Sequence, residues 1–114
     1  VDAYGVYYIR MVRKEATSIY KEGSTFEIGK GNLLIDGTDV TIFASGIMVE
    51  EAVKASTILK TEGISARVVD IHTIKPIDKD IIVKAAKETG AIVTVEDGNY
   101  IRVNVTSKNQ IISE

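Results

Sequence analysis

Two short stretches, Ser45-Gly46 and Asp70-Ile71-His72, carry the residue types that could form a binding or proton-transfer site. His72 is the only histidine of the chain, and an imidazole near a carboxylate such as Asp70 can move a proton around neutral pH. Ser45-Gly46 comes directly before a predicted helix, where free backbone N–H groups can hold an anion and glycine lets a ligand approach. Both stretches follow predicted strands, so Ser45, Gly46 and His72 are the candidates for a site at one edge of a sheet.

A simpler interpretation stays open for these residues, and the spacing favours it. Gly46 could merely ease a tight turn, because no further glycine follows at the spacing of a dinucleotide-binding fingerprint. His72 could be hydrogen-bonded within a loop, because no serine or cysteine lies close to it in the sequence for it to activate.

Two other groups of charged residues could also bind or react. Arg10 and Arg13 lie three residues apart in the first apolar segment, and the planar guanidinium group suits phosphate; by spacing alone, however, this is a common surface pattern. Glu96 and Asp97 lie at the end of a predicted strand, where neighbouring residues point to opposite faces and cannot act as a carboxylate pair unless the strand has already ended. A solvated strand end is the favoured interpretation. The sequence therefore predicts neither a self-contained catalytic set nor a metal site.

The elements that must position these candidates alternate between strand and helix. Continuous apolar strands are predicted at 39–44, 66–72 and 91–95. Helices are predicted at 47–60 and from the N-cap Asp78 to the stop at Gly90. Right-handed crossovers make this β-α-β-α-β order a parallel sheet with helices on its faces, an α/β domain.

Further segments flank this unit. Asp36-Gly37 predicts a hairpin that places a strand at 32–35 antiparallel to the strand at 39–44. Residues 4–14 predict another strand, and residues 15–25 a linker or surface loop. After residue 98, Ile101, Val103 and Val105 alternate with polar residues, which predicts a strand.

Composition narrows the class of protein and its partners. The 114 residues carry 14 Lys and Arg against 16 Asp and Glu, with no cysteine. This balance of charges does not produce the basic field of a nucleic-acid binder. Zero cysteine excludes a disulfide framework, a thiolate zinc site and a cysteine nucleophile.

No apolar run reaches the ~18 residues of a membrane span. The first residues lack the pattern of a signal peptide, so we expect the cytoplasm; a first residue other than methionine leads us to expect a piece of a longer protein.

Four stretches together resemble a known family: 26–30 (FEIGK), 39–53 (DVTIFASGIMVEEAV), 62–78 (EGISARVVDIHTIKPID) and 89–97 (TGAIVTVED). They are similar to the C-terminal domain of transketolase-like, thiamine-diphosphate-dependent enzymes, above all the separate C-terminal part of split transketolases. The resemblance implies a three-layer α/β/α fold whose mixed, mostly parallel sheet carries one antiparallel strand. It assigns residues 1–14 to the last strand of a preceding pyrimidine-binding domain and 15–25 to a linker. Residues 26–114 become the C-terminal domain, with an atypical tail at 98–114 that lacks the family's glycine-rich loop.

The resemblance also implies a function for the whole enzyme. The parent reaction is two-carbon ketol transfer between sugar phosphates, as in pentose phosphate metabolism, and Arg13, less strongly Arg10, would grip the substrate phosphate. Thiamine diphosphate and magnesium would be bound by the parent enzyme and not by this chain alone. The expected partners are the N-terminal and pyrimidine-binding domains, in a homodimer or heterotetramer, and the chain alone would be inactive. The alternatives are deoxyxylulose-phosphate synthase, or a 2-oxo-acid dehydrogenase β-subunit whose C-terminal domain serves as an assembly module.

Overall fold

The computed structural model describes residues 4–9 and 17–97 with their side chains, and the backbone of residues 103–107 and 110–113. The elements are β1 (Asn32–Ile35), β2 (Val40–Ala44), α1 (Met48–Thr61), β3 (Ala66–Asp70), α2 (Lys79–Glu88), β4 (Ala91–Val95), β5 (Val103–Ser107) and β6 (Gln110–Ser113). Within these residues, no helix has the length and apolar character that a membrane span requires.

The first four strands form one mixed sheet in the order β1-β3-β2-β4. β2 runs parallel to both β3 and β4, and β1 runs antiparallel to β3. The α/β fold with one antiparallel strand is therefore confirmed.

The predicted hairpin between β1 and β2 is wrong, because β1 pairs with β3 instead. The turn after β1 crosses over the amino end of β3: Gly37 packs against the backbone of Ala66, and the Asp39 N–H donates to the Ser65 carbonyl at 2.9 Å. β3 is buried along its whole length. Strands on both of its edges complete its backbone hydrogen bonds, whereas a tight hairpin would have left one of those edges open.

Two hydrophobic clusters lie on opposite faces of the sheet and give it three layers. One cluster joins Ile42 and Val68 to α1, and the other joins Phe43 and Val69 to α2. Successive strand residues point to opposite faces, so the continuous apolar runs of β2 and β3 supply both clusters.

The helices begin and end close to the predicted positions. Asp78 caps α2, and its carboxylate accepts a hydrogen bond from the Ile81 N–H at 3.3 Å. Gly63 follows α1 with φ of +80°, a backbone conformation that ends a helix at little cost only when the residue is glycine. Ile47, before α1, offers no side-chain cap.

The segments outside this unit agree with the predictions only in part. Residues 4–9 form no strand, and Tyr4, Val6 and Tyr8 are each at least 90% exposed. A strand requires a neighbour, so the assignment of this segment to a preceding domain stays a prediction. Arg10 and Arg13 lie outside the described residues. In the tail, β5 pairs antiparallel with β6, in agreement with the predicted strand.

Candidate functional site at the carboxyl end of the sheet

The parallel register of β2 and β3 brings the predicted site residues to one edge of the sheet. Ala44 lies opposite Asp70, and the Ile71 N–H donates to the Ala44 carbonyl at 2.9 Å. Ser45-Gly46 and His72 therefore leave the sheet side by side. They line an open cleft of about 470 Å³ together with Asp70, Val49, Ile71, Ile74 and the segment 17–20.

The floor of the cleft carries a phenol–carboxylate pair that the sequence did not predict. The Tyr20 hydroxyl donates to Asp70 Oδ2 at 2.6 Å, and Asn32 Nδ2 donates to the Tyr20 oxygen at 3.4 Å. Burial and the hydrogen bond to Asp70 raise the pKa of Tyr20 to about 12. Tyr20 therefore stays a neutral donor at physiological pH, and the buried Asp70 carboxylate accepts its proton in a hydrogen bond.

His72 lies at the rim of this cleft and is exposed. Its ring meets Phe26 edge-on, with the centroids 5.7 Å apart, and Phe26 meets Tyr20 in the same way at 4.6 Å. His72 Nδ1 lies 3.1 Å from Thr73 Oγ1. Among the described residues, Thr73 is the hydrogen-bonding neighbour of the imidazole, and Asp70 is bonded to Tyr20. This arrangement agrees with the simpler interpretation of His72 as a histidine hydrogen-bonded within a loop.

Ser45 and Gly46 shape the turn between β2 and α1. Gly46 has φ of +58°, which a residue with a side chain rarely adopts, and no atom lies within 4 Å of where its Cβ would stand. The Ser45 and Gly46 carbonyls accept hydrogen bonds from the Met48 and Val49 N–H groups, respectively. Glycine is therefore required by the turn itself, as the simpler interpretation holds, and it also leaves the start of α1 open to the cleft.

Tyr20 was missed because residues 15–25 follow neither helical nor strand periodicity, and Phe26 was singled out only as part of the family resemblance. A pattern analysis finds residues that repeat on one face of an element, whereas Tyr20 reaches Asp70 across 50 positions of the chain. The residue types alone could have indicated the Tyr20–Asp70 pair: Tyr20 is an aromatic hydroxyl in a polar loop, and Asp70 ends an otherwise apolar strand.

A second polar cluster lies at the opposite, amino end of the sheet. The buried Arg67 side chain donates to Asp36 at 2.9 Å and to Glu88 at 2.7 Å, which ties β3 to the β1–β2 turn and to α2. Thr41 and Thr89 share a buried hydrogen bond of 2.8 Å. The Gly37 N–H and then Arg67 hold the pKa of Asp36 below its ordinary value. These groups bond to one another, and their arrangement is structural.

Comparison with known proteins assigns the chain to a family. The sequence profile described as transketolase, C-terminal domain, matches residues 29–108. This chain belongs to the transketolase C-terminal domain family. It is 50% identical over 99 residues to a putative transketolase C-terminal section from Methanocaldococcus jannaschii, a match that covers 85% of this chain and 30% of that protein.

Other members of the transketolase C-terminal domain family show the same partial coverage. The chain is 45% identical over 97 residues to a 6-deoxy-6-sulfo-D-fructose transketolase subunit from a Clostridium species, covering 85% of this chain and 30% of that protein. A solved structure described as a split-gene transketolase in an inactive β4 tetramer superposes with a TM-score of 0.70 at 45% identity. That superposition covers 72% of this chain and 27% of the other. The chain thus spans about 30% of the length of these relatives.

Membership in the transketolase family implies that the parent enzymes bind thiamine diphosphate. This cofactor would require residues that hold its diphosphate group and a magnesium ion. Within the described residues, no three His, Cys, Asp or Glu side chains come together as a metal site. The carboxylate at the cleft floor is already engaged by Tyr20. The described part of the chain therefore does not fit a magnesium diphosphate group.

Proposed function

We propose that this chain is the C-terminal part of a split transketolase, which in the assembled enzyme transfers a two-carbon ketol unit between sugar phosphates. The observation that carries this proposal is the similarity over 85% of the chain to a transketolase C-terminal section and to a transketolase subunit. Thiamine diphosphate and magnesium would be held by the N-terminal and pyrimidine-binding domains. The compartment we propose is the cytoplasm, and the metabolic context is that of pentose phosphates.

The proposed contribution of this chain is structural support and assembly. The aromatic and apolar residues of segment 4–9 are exposed: Tyr4, Val6, Tyr7, Tyr8 and Ile9. Exposed apolar clusters of this kind are typical of surfaces that a partner covers. A homodimer or a heterotetramer with the cofactor-binding section would bury them, and the relative described as a tetramer supports an oligomeric assembly.

Arg13, less strongly Arg10, is proposed to bind the phosphate of the sugar substrate. A guanidinium group can bind two phosphate oxygens at once and hold the substrate in place. Within the described residues, the cleft at the carboxyl end of the sheet offers one buried carboxylate and no buried cation, so it is a poorer place for a phosphate.

The test is reconstitution of the enzyme from this chain and a section that carries the other two domains. Ketol transfer between sugar phosphates should require both parts, and this chain alone should be inactive. In the assembled enzyme, Arg13→Ala should raise KM for phosphorylated sugars about tenfold or more while leaving unphosphorylated sugars nearly unchanged. Lys60→Ala, at the exposed end of α1, is the matched control. Equal effects on both substrate types would remove Arg13 from the phosphate site.

A second candidate is the C-terminal part of a 1-deoxy-D-xylulose-5-phosphate synthase. The chain is 52% identical over 77 residues to the enzyme of that name from Heliobacterium modesticaldum, a match covering 68% of this chain and 12% of that protein. Formation of 1-deoxy-D-xylulose 5-phosphate by the reconstituted enzyme, without ketol transfer between sugar phosphates, would favour this candidate.

A further inference from the structure

β4 (Ala91–Val95) is one of the two outer strands of the four-stranded sheet, and its outer edge faces away from β2. Of the strands that the structure describes, β2 is the one that pairs with β4. Val93 is 47% exposed, and Ala91 and Thr94 are exposed as well. The backbone N–H and C=O groups along such an edge can accept another strand.

The sequence of β4 does not protect this outer edge. Natural proteins prevent unwanted pairing at open edges with charged residues, proline or a β-bulge. The five residues of β4 are AIVTV, and their register with β2 runs from Ala91 to Val95 without a shift. Valine, isoleucine and threonine are also residue types that favour strands. β4 is therefore a regular, uncharged template for a further strand.

The other outer strand, β1 (Asn32–Ile35), differs from β4. Its register with β3 shifts between Leu33 and Ile35, and an irregularity of this kind bends an edge away from a partner. The side chain of Asn32 also donates to the Tyr20 oxygen, so the loop before β1 lies against its first residue. Of the two outer strands, β4 is thus the one that can accept a strand along its whole length.

We propose that the outer edge of β4 pairs with β4 of a second copy of this chain, antiparallel and about a two-fold axis at Val93. This register pairs all five residues, because Val93 lies opposite itself and Ala91 lies opposite Val95. Apolar side chains then meet across the strands, which stabilises the pair. An axis shifted by one residue toward the carboxyl end would bring Glu96 into the ladder, so the axis at Val93 is favoured.

The surroundings of β4 are complementary in this arrangement. Antiparallel pairing places the exposed Glu96 and Asp97, which follow β4, at the amino end of the second copy's β4. Lys87 is exposed near that end, in the last turn of α2. On the α1 face of the sheet, Val93 lies in register with the core residue Ile42. The two copies of Val93 therefore continue an apolar cluster across the interface.

The interface closes on itself. A two-fold axis uses the outer edge of β4 in both copies, so assembly stops at a dimer whose sheet has eight strands, four from each copy. A pair of five-residue strands is smaller than a standard interface, so the dimer should dissociate on dilution. The inference rests on the proposed function in one respect, because it names the surface that joins two copies in the proposed assembly.

Sedimentation of the full chain at increasing concentration tests the interface without an enzyme assay. The chain should pass from monomer to dimer and no further. Val93→Lys should raise the Kd of the dimer about a hundredfold or more, because two like charges would face each other. Leu33→Lys is the matched control, since Leu33 is a half-exposed apolar residue of the opposite outer strand. It should raise the Kd by less than about threefold.

Cross-linking tests the register, because the chain contains no cysteine of its own. A short bismaleimide should link two copies of Val93→Cys, whose residue 93 lies opposite itself in the dimer. Two copies of Leu33→Cys should stay separate under the same conditions. Equal linking of both variants would overturn the register.

Other results would overturn the interface itself. These are a chain that stays monomeric at millimolar concentration, or a dimer that Val93→Lys leaves intact. Slow amide exchange in residues 91–95 at every concentration would show that the chain's own tail covers the edge. Assemblies that grow beyond the dimer would overturn the two-fold axis. A dimer that forms as described, in a reconstituted enzyme that transfers no ketol unit, would overturn the proposed function alone.

Discussion

The two ends of the sheet use polar residues in opposite ways. At the amino end, Arg67 binds two carboxylates at once, Thr41 and Thr89 bond to each other in the interior, and Gly37 packs against neighbouring backbone. At the carboxyl end, Tyr20 reaches Asp70 from a loop, and the cleft beside them stays open.

The difference lies in what each end connects. The amino end joins elements of the domain to one another, so its polar groups are satisfied within the domain. At the carboxyl end, a loop segment from outside the sheet packs against Asp70. In open α/β sheets this is the end where ligands bind. Changes at the amino end should therefore cost more stability, whereas changes at the carboxyl end should mainly alter local order around the cleft.

The largest loss of stability is expected at Gly37. A Cβ there would lie 2.6 Å from the amide nitrogen of Arg67, and the obstacle is backbone that cannot move aside. Gly37→Ala should lower the free energy of unfolding by about 3 kcal/mol or more, the upper end for overpacking. Denaturant unfolding measures this.

Gly31→Ala is the control for that change. Its Cβ would meet only side-chain atoms, the nearest being the terminal Ile71 Cδ1 at 2.9 Å, which can rotate. The loss should be about 1 kcal/mol. An equal loss of stability for both variants would contradict the argument that contact with rigid backbone makes Gly37→Ala more costly than contact with side chains.

The buried threonine pair should show an asymmetric loss. Thr89 Oγ1 donates to the Ala85 carbonyl at 2.8 Å and also lies 2.8 Å from Thr41 Oγ1. Thr89→Val leaves the Thr41 hydroxyl buried without a partner and should cost about 2 kcal/mol. Thr41→Val leaves Thr89 bonded to Ala85 and should cost about 1 kcal/mol or less. Thermal unfolding of both variants tests this order, and the reverse order would show that the donor directions are wrong.

The hydrogen bond between Tyr20 and Asp70 at the carboxyl end predicts how the stability of the chain changes with pH in the alkaline range. The pKa of Tyr20 is raised from 10.0 to about 12 in the folded chain. A group whose folded pKa is raised contributes stability that is complete below its unfolded pKa and is lost as the pH rises through the folded value. The contribution of Tyr20 should therefore fall between about pH 10 and pH 12.

Tyrosinate absorbance checks this directly. Tyr20→Phe should remove a transition near pH 12 and flatten the alkaline decline in stability. A spectrum in which the variant loses a transition near pH 10 instead would show that the phenol is not bonded to Asp70.

The smallest effect on stability is expected at Asp36, the exposed carboxylate that binds Arg67. The Gly37 N–H and Arg67 hold the pKa of Asp36 below its ordinary value in the folded chain. The carboxylate therefore contributes stability above the unfolded pKa of about 4. This contribution is lost as the pH falls through the lowered pKa of the folded chain. Asp36→Asn should reduce stability slightly at neutral pH and leave it unchanged in strong acid. A difference that persists in strong acid would mean that the carboxylate charge is not the cause.

Local patterns in the sequence determined most of the elements. The helical spacing and caps predict α1 and α2 to within a residue or so, and the apolar runs predict β2, β3 and β4. These predictions of helices and strands are correct because the preference of each residue for helix or strand depends on neighbours close in the sequence. The family resemblance likewise depends on the order of residues alone, and the family match confirms it.

Only the tertiary structure decided which strand lies beside which, and what occupies the carboxyl end of the sheet. Asp36-Gly37 suits a hairpin, yet β1 pairs with β3, because pairing depends on which buried edge must be covered and not on the turn residues. Ser45, Gly46 and His72 were predicted at that end from strand order, whereas Tyr20 was not. Its hydrogen bond to Asp70 joins residues 50 positions apart, and a contact of that separation exists only once the sheet has formed.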